Sequence, residues 1–154
     1  MGSNKKSIIE LREIEALIAV PLIKGYIKEL GRERAIYVAT KAIQEKSWEA
    51  GRQTAEELGS NTMSDLVRIM SSWTEGGALE EEILEQTDKT YFFNVTYCRY
   101  AEKYDEIGIK EFGYCLSCCR DKPFIEGFNP NIKFKRTQTI MEDSPYCDFR
   151  LAME

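Results

Sequence analysis

The stretch "YCLSCCRD" places Cys115, Cys118 and Cys119 within five consecutive positions, followed at once by Arg120 and Asp121. Cys98 and Cys147 lie on either side of it. Clustered thiols of this kind can ligate a metal or cluster, supply a nucleophile, or serve as buried sulfur without chemistry. The chain contains no histidine. That removes every Ser-His or Cys-His nucleophile pair and every histidine metal ligand, so proton transfer falls to carboxylates, thiols, tyrosine, lysine or water.

Each chemistry has a positional requirement. Cys115-x-x-Cys118 has the spacing of a metal-binding pair, and Cys98, Cys119 or Cys147 could complete a ligand set, but structural zinc sites normally use two such pairs. Thioredoxin-like chemistry wants the pair at the start of a helix, where the dipole lowers a thiol pKa. Here the pair reads as late in its helix. The nucleophile reading needs a carboxylate partner for a thiol. Cys118 and Asp121 stand three apart and Cys98 and Glu102 four apart, neighbours on a helix face. Cys147 precedes Asp148, which on a strand points to the opposite face.

Helices and strands must bring these pairs together. Leu11, Ile14, Ile18 and Leu22 recur at helical spacing, with Pro21 expected to kink or restart the helix and Gly31 to end it. A second helix spans 32–58 with Ile36, Ala39, Ile43, Ala50 and Leu58 toward the core, and Gly59 closes it. Thr62 and Asp65 have capping-box spacing at the head of a third helix, which "EGG" at 75–77 breaks. Two strands follow around a turn at 87–89, the first a Glu-rich edge and the second carrying Tyr91, Phe92 and Phe93 as sheet core. "CRYAEKYDEIG" reads as a helix ending at Gly108, and "EFGYCLSCCRD" as another, limited by Pro123. Ile132 and Phe134 alternate with Lys133 and Lys135 as in a strand with one wet face, and "YCDFRLAM" is a last strand. The expected fold is α+β: N-terminal helices over about 7–74 packed on a C-terminal antiparallel sheet with two inserted helices. Residues 1–154 read as one domain, with a helical half (1–75) and a sheet-containing half (76–154).

The bulk numbers narrow the partners. With 43% hydrophobic and 31% charged residues the chain is in the ordinary globular class, and its net charge of −5 argues against nucleic acid. A small anionic ligand needs only one local cationic pocket. No apolar run is long enough for a membrane span and no secretory h-region is present, so the expected location is the cytoplasm, where thiols stay reduced. The opening "MGSNKK" reads as a polar, frayed end.

"FNVTYCRYAEKYDEIG", "LSCCRD", "GFNPNIKFKRTQTIMED" and "YCDFR" together resemble, in order and spacing, the L-2-amino-thiazoline-4-carboxylic acid hydrolase family; "IEALIAVPLIKGYIKELGRERA" and "EAGRQTAEELG" resemble it more loosely. Arg99 stands where the family commonly has Pro, and Asp143 where Gly often follows. The resemblance implies a bacterial or archaeal enzyme hydrolysing carbon–nitrogen bonds of a cyclic amidine, opening a small S,N-heterocycle to an N-carbamoyl-cysteine-type product. It places catalytic weight on Cys98, Glu102, Cys118, Asp121 and Cys147, and substrate binding on Asn129, Arg136 and Asp148. Cys115 and Cys119 are left as packing residues. Either Cys118 attacks directly with Asp121 steering protons, without a cofactor, or Cys98, Cys118 and Cys147 hold a zinc ion whose water attacks. Arg136 would clamp a substrate carboxylate or lie on the wet strand face beside Lys133 and Lys135; Asn129 before Pro130 also suits a turn. The rival from another class is a non-catalytic small-molecule or soft-metal sensor. Either reading leaves room for a homo-oligomer.

Overall fold

Ser7 caps the first helix by accepting from the Glu10 amide while the Glu10 carboxylate accepts from the Ser7 amide. In the computed structural model, which describes residues 5–154, this helix (α1, Ile8–Leu30) runs unbroken through Pro21. Proline removes one donor from the ladder, yet the helix does not restart there, which corrects that part of the sequence expectation. Residues 1–4 of the polar start lie outside the described residues. Gly31, at φ 80°, ends α1, and α2 (Arg32–Leu58) begins at once and closes on Gly59 in the left-handed conformation. Thr62 and Asp65 form the expected capping box of α3 (Met63–Ser71).

The second half supplies the sheet. Strands β1 (Leu79–Gln86), β2 (Thr90–Cys98), β3 (Ile132–Lys135) and β4 (Cys147–Met153) form an antiparallel sheet in the order β1-β2-β4-β3. The Glu-rich β1 is an edge strand, as its charge predicts. Between β2 and β3 lie α4 (Arg99–Glu106), the single-turn α5 (Gly113–Leu116) and α6 (Asp121–Phe128). The fold is α+β, with N-terminal helices and a C-terminal antiparallel sheet interrupted by helices.

Two corrections concern the cysteine segment and α1. The span 111–121 is not one helix. It breaks at Ser117 (φ −123°, ψ −68°), passes through a 3-10 turn at Cys118–Arg120, and restarts as α6, with Pro123 in the first turn rather than at a terminus. The face of α1 carrying Leu11, Ile14, Ile18 and Leu22 is exposed; its buried residues are Ala16, Val20 and Ile23. Leu58 of α2 is exposed as well, while Ile36, Ala39 and Ile43 are partly buried against the core around α1, α4 and α5.

One core lies on the sheet, where Met63, Leu66 and Met70 of α3 and Ile125 and Phe128 of α6 meet Tyr91, Phe93, Val95, Phe134, Phe149 and Leu151. The second lies among α1, α4 and α5, with Tyr104, Phe112 and Leu116 at its centre. Helix α2 crosses α6 at two glycines. A methyl on Gly51 would overlap the Phe124 carbonyl, and one on Gly127 would overlap the Trp48 carbonyl. The helices therefore touch backbone to backbone, an approach only glycine permits at both points.

Candidate active site

The three thiols that could do chemistry meet at one end of the sheet. Cys98 is the last residue of β2 and caps α4, its sulfur accepting from the Ala101 amide at 3.4 Å. Cys147 is the first residue of β4, paired with Val95 of β2, and its sulfur accepts from the Ile140 amide at 3.2 Å. Cys118 enters from the 3-10 turn created by the break at Ser117. With Asp121, the first residue of α6, these three line a single cavity of about 340 Å³, a volume that suits a small ligand. Trp73, Leu79, Val95, Phe124 and Phe149 make much of its wall apolar.

Arg136 organises this site. Its side chain is only 6% exposed, not spread on a wet strand face. One arm pairs with the Asp121 carboxylate and the other donates to the Cys118 carbonyl at 2.9 Å. The guanidinium also lies over the rings of Phe134 and Phe149, at 5.3 and 5.0 Å from their centroids. Both forks of Arg136 are thus engaged within the protein.

The electrostatics follow from burial. Desolvation raises Cys118 well above the ordinary thiol value; the neighbouring Asp121 adds to this and Arg136 opposes it. Cys98 is pushed up to about 11 by burial, and Cys147 is raised for the same reason. The thiols are therefore protonated at neutral pH. Asp121 is raised by desolvation against the pull of Arg136, which makes it a stronger base than an ordinary carboxylate. Arg136 is raised in turn: burial works against its charge, but Asp121 and Cys118 outweigh that cost.

The remaining sequence candidates lie elsewhere. Glu102 is on the exposed side of α4, accepting from the Tyr97 hydroxyl and from Arg99 at 3.0 Å. Asn129 is buried as a linker, donating to the Asn61 carbonyl at 2.7 Å and accepting from the Asn131 amide at 2.9 Å. Asp148 accepts from the amides of Thr137 and Gln138, both at 2.9 Å, and fixes the loop after Arg136. Together with a bond from the Thr137 hydroxyl at 2.7 Å, the strongest of the three, those hydrogen bonds outweigh desolvation and hold Asp148 below its usual range. Cys115 and Cys119 are buried, and the Cys119 thiol donates to the Cys115 carbonyl at 2.9 Å. Among the described residues, no group of three or more Cys, Asp or Glu side chains is placed to hold a metal ion. The three cavity thiols do not form a ligand set in this geometry.

Sequence reading missed the wall that the N-terminal helices supply. Arg12 of α1 and Lys46, Ser47 and Ala50 of α2 line the cavity, as does Arg120. Ser47 donates to the Arg120 carbonyl at 2.8 Å, and Arg120 donates to Glu15 of α1 at 3.1 Å, tying both helices to the cysteine turn. No local signal marks Arg12 or Lys46, because each sits in an ordinary charged helix pattern.

An α+β fold with one largely apolar cavity, in which one buried and two partly buried thiols face a carboxylate–arginine pair, has the form of a small-molecule site. The family model described as L-2-amino-thiazoline-4-carboxylic acid hydrolase matches residues 11–151, and the chain belongs to that family. Among solved structures, the fold is similar to the crystal structure of the phenol-responsive sensory domain of the transcription activator PoxR with phenol. That match has a TM-score of 0.53 and 12% identity, and covers 86% of this chain and 71% of the other. At that identity the likeness concerns the fold alone. No curated protein matches the chain. No helix among the described residues is long and apolar enough to cross a membrane.

Proposed function

We propose that this chain is a hydrolase that opens a small, carboxylate-bearing cyclic amidine of the 2-amino-thiazoline-4-carboxylate type to an N-carbamoyl-cysteine-type product. Membership of the family supports the reaction class. The observation that carries the site is the shared cavity of Cys118, Asp121 and Arg136, joined by Cys98 and Cys147.

In this reading the Cys118 thiol stays protonated until substrate arrives. Asp121, made more basic by burial, takes its proton as sulfur adds to the amidine carbon of the ring. The ring carbon–sulfur bond then breaks, and Asp121 returns the proton to the departing ring sulfur. Water adds to the carbon held on Cys118, the Cys118–carbon bond breaks, and the two water protons end on the Cys118 sulfur and the former ring nitrogen. The net change is addition of one water: the ring carbon–sulfur bond is the one broken, not the carbon–nitrogen bond that the family resemblance implies, and the amidine carbon ends as a urea carbonyl. Because both arms of Arg136 are occupied, its part is to hold Asp121 in place. Arg12 and Lys46, ion-paired with Glu15 at 2.8 Å and with Glu49 at 3.4 Å and more exposed than Arg136, are the cavity cations that would exchange those partners for the substrate carboxylate. Cys98 and Cys147 shape the thiol-lined floor.

The test is incubation of purified protein with 2-amino-thiazoline-4-carboxylate, followed by mass spectrometry for a product heavier by one water. Turnover by the wild type that disappears in Cys118→Ser supports the mechanism; turnover undiminished in that variant sinks it.

A second reading has one specific observation behind it. The fold is similar to that of a phenol-responsive sensory domain, and the cavity of this chain is largely apolar. Ligand binding by calorimetry without any turnover would favour a sensor role over a hydrolase.

A further inference from the structure

Helix α1 has two faces of opposite use. One buries Ala16, Val20 and Ile23. The other carries Leu11, Ile14, Leu17, Ile18 and Leu22, all exposed, with Ile18 the most so at 66%. Tyr26 and Leu30 extend the apolar surface along one edge. Summed from their exposures, these seven side chains offer roughly 600 Å² of apolar surface, at the upper end for a monomer and close to the ~800 Å² a side of a standard interface.

Two further observations indicate what covers this face. Gly25 lies on it, and a Cβ there would meet nothing within 4 Å. The fold itself therefore does not require glycine at a helix position where glycine is unfavourable, whereas a second helix approaching that face would. Along one flank of the face the end charges are opposite, with Glu10 in the first turn and Lys28 in the last, while Glu29 beside Lys28 lies in line with Leu11. A copy of α1 turned end for end brings each Glu10 toward its partner's Lys28 and centres the contact on Ile18, midway between Leu11 and Gly25.

We infer that this face is a self-association surface: two copies of the chain pair through α1, antiparallel, about a two-fold axis at Ile18. Such an interface is isologous, so one apolar stripe and one pair of end charges serve both sides.

The test is sedimentation equilibrium of the wild type and of Ile18→Glu. The wild type is expected at twice the 17.8 kDa chain mass. Ile18→Glu, altered at an exposed position, is expected to keep its circular dichroism spectrum and weaken the dimer by about a hundredfold or more. Orientation is read by oxidative cross-linking: Ile18→Cys should give a disulfide-linked dimer and Leu11→Cys should not, because an antiparallel pair separates the two copies of residue 11. A wild type that is monomeric at about 100 µM overturns the inference, whether or not it binds anionic lipid vesicles. Retention of the dimer by Ile18→Glu assigns the contact to another surface, and cross-linking of Leu11→Cys overturns the antiparallel arrangement.

Discussion

Arg136 holds Asp121 from a bed of two aromatic rings, with its second arm on the Cys118 carbonyl. One side chain thereby fixes both the carboxylate and the backbone of the thiol that stand closest to the proposed chemistry. Three consequences for the ion pair, the proposed reaction and the thiols can be measured, and a fourth concerns the helix crossing behind them.

Removing Arg136 leaves a partly buried carboxylate without a partner. Arg136→Ala is expected to lower unfolding free energy by about 3–5 kcal/mol, read from urea denaturation midpoints. Arg136→Met combined with Asp121→Leu should recover most of that loss, because neither charge is then stranded. A single variant as stable as wild type would mean that the pair does not carry this part of the fold.

The proposed mechanism separates base from nucleophile. Asp121→Asn is expected to reduce kcat by about 10²–10⁴-fold with a smaller change in KM, since it removes proton transfer more than binding. Cys118→Ser should reduce kcat by on the order of a thousandfold, because a hydroxyl in the same cavity is a far weaker nucleophile. Equal activity of Asp121→Asn and wild type would transfer the base role to another group.

The desolvated cavity thiols set an alkaline limit. Below the ordinary thiol value of 9.0, Cys98 holds its proton in both the folded and unfolded chains and does not make stability depend on pH. Above it the unfolded chain ionises first, because the folded value is raised to about 11. The native state then binds more protons, so stability falls as pH rises from about 9 through about 11. Cys118 and Cys147 shift in the same direction. Thermal melts from pH 8 to pH 11 should show a declining Tm, with a shallower decline in Cys98→Ala.

The α2–α6 crossing leaves no room at Gly51 or Gly127. Gly51→Ala should cost about 2–4 kcal/mol even though alanine is the better helix former, because the added methyl meets a carbonyl rather than a yielding side chain. The same variant should weaken ligand binding, as Lys46, Ser47 and Ala50 beside it form part of the cavity wall. A neutral or stabilising Gly51→Ala would show that the two helices can part without loss.

The ends of elements and the class of fold were legible because they are local. Gly31, Gly59 and the Thr62–Asp65 box announce themselves within a few residues, and so does the Glu-rich edge strand. Periodicity misled at α1, where Leu11, Ile14, Ile18 and Leu22 form a real stripe whose outward direction only tertiary packing decides. It misled again across 111–121, since the break at Ser117 that presents Cys118 to the cavity has no glycine or proline to mark it. The family motifs and the thiol–carboxylate spacing identified Cys98, Cys118, Asp121 and Cys147, residues that do share one cavity. The pairing of Arg136 with Asp121 spans fifteen positions and depends on how β3 leaves the sheet, so no local pattern reveals it.

The two-glycine crossing also constrains anyone who would reshape this protein for a different substrate. The spacing of α2 and α6 is already at backbone contact, so the cavity cannot be narrowed by drawing those helices together, nor widened there without unseating Asp121. Volume is adjustable elsewhere, at the apolar side chains of Trp73, Phe124 and Phe149 that bound the same space. Libraries that hold Gly51 and Gly127 constant and vary those three positions would explore new ligands on an intact frame.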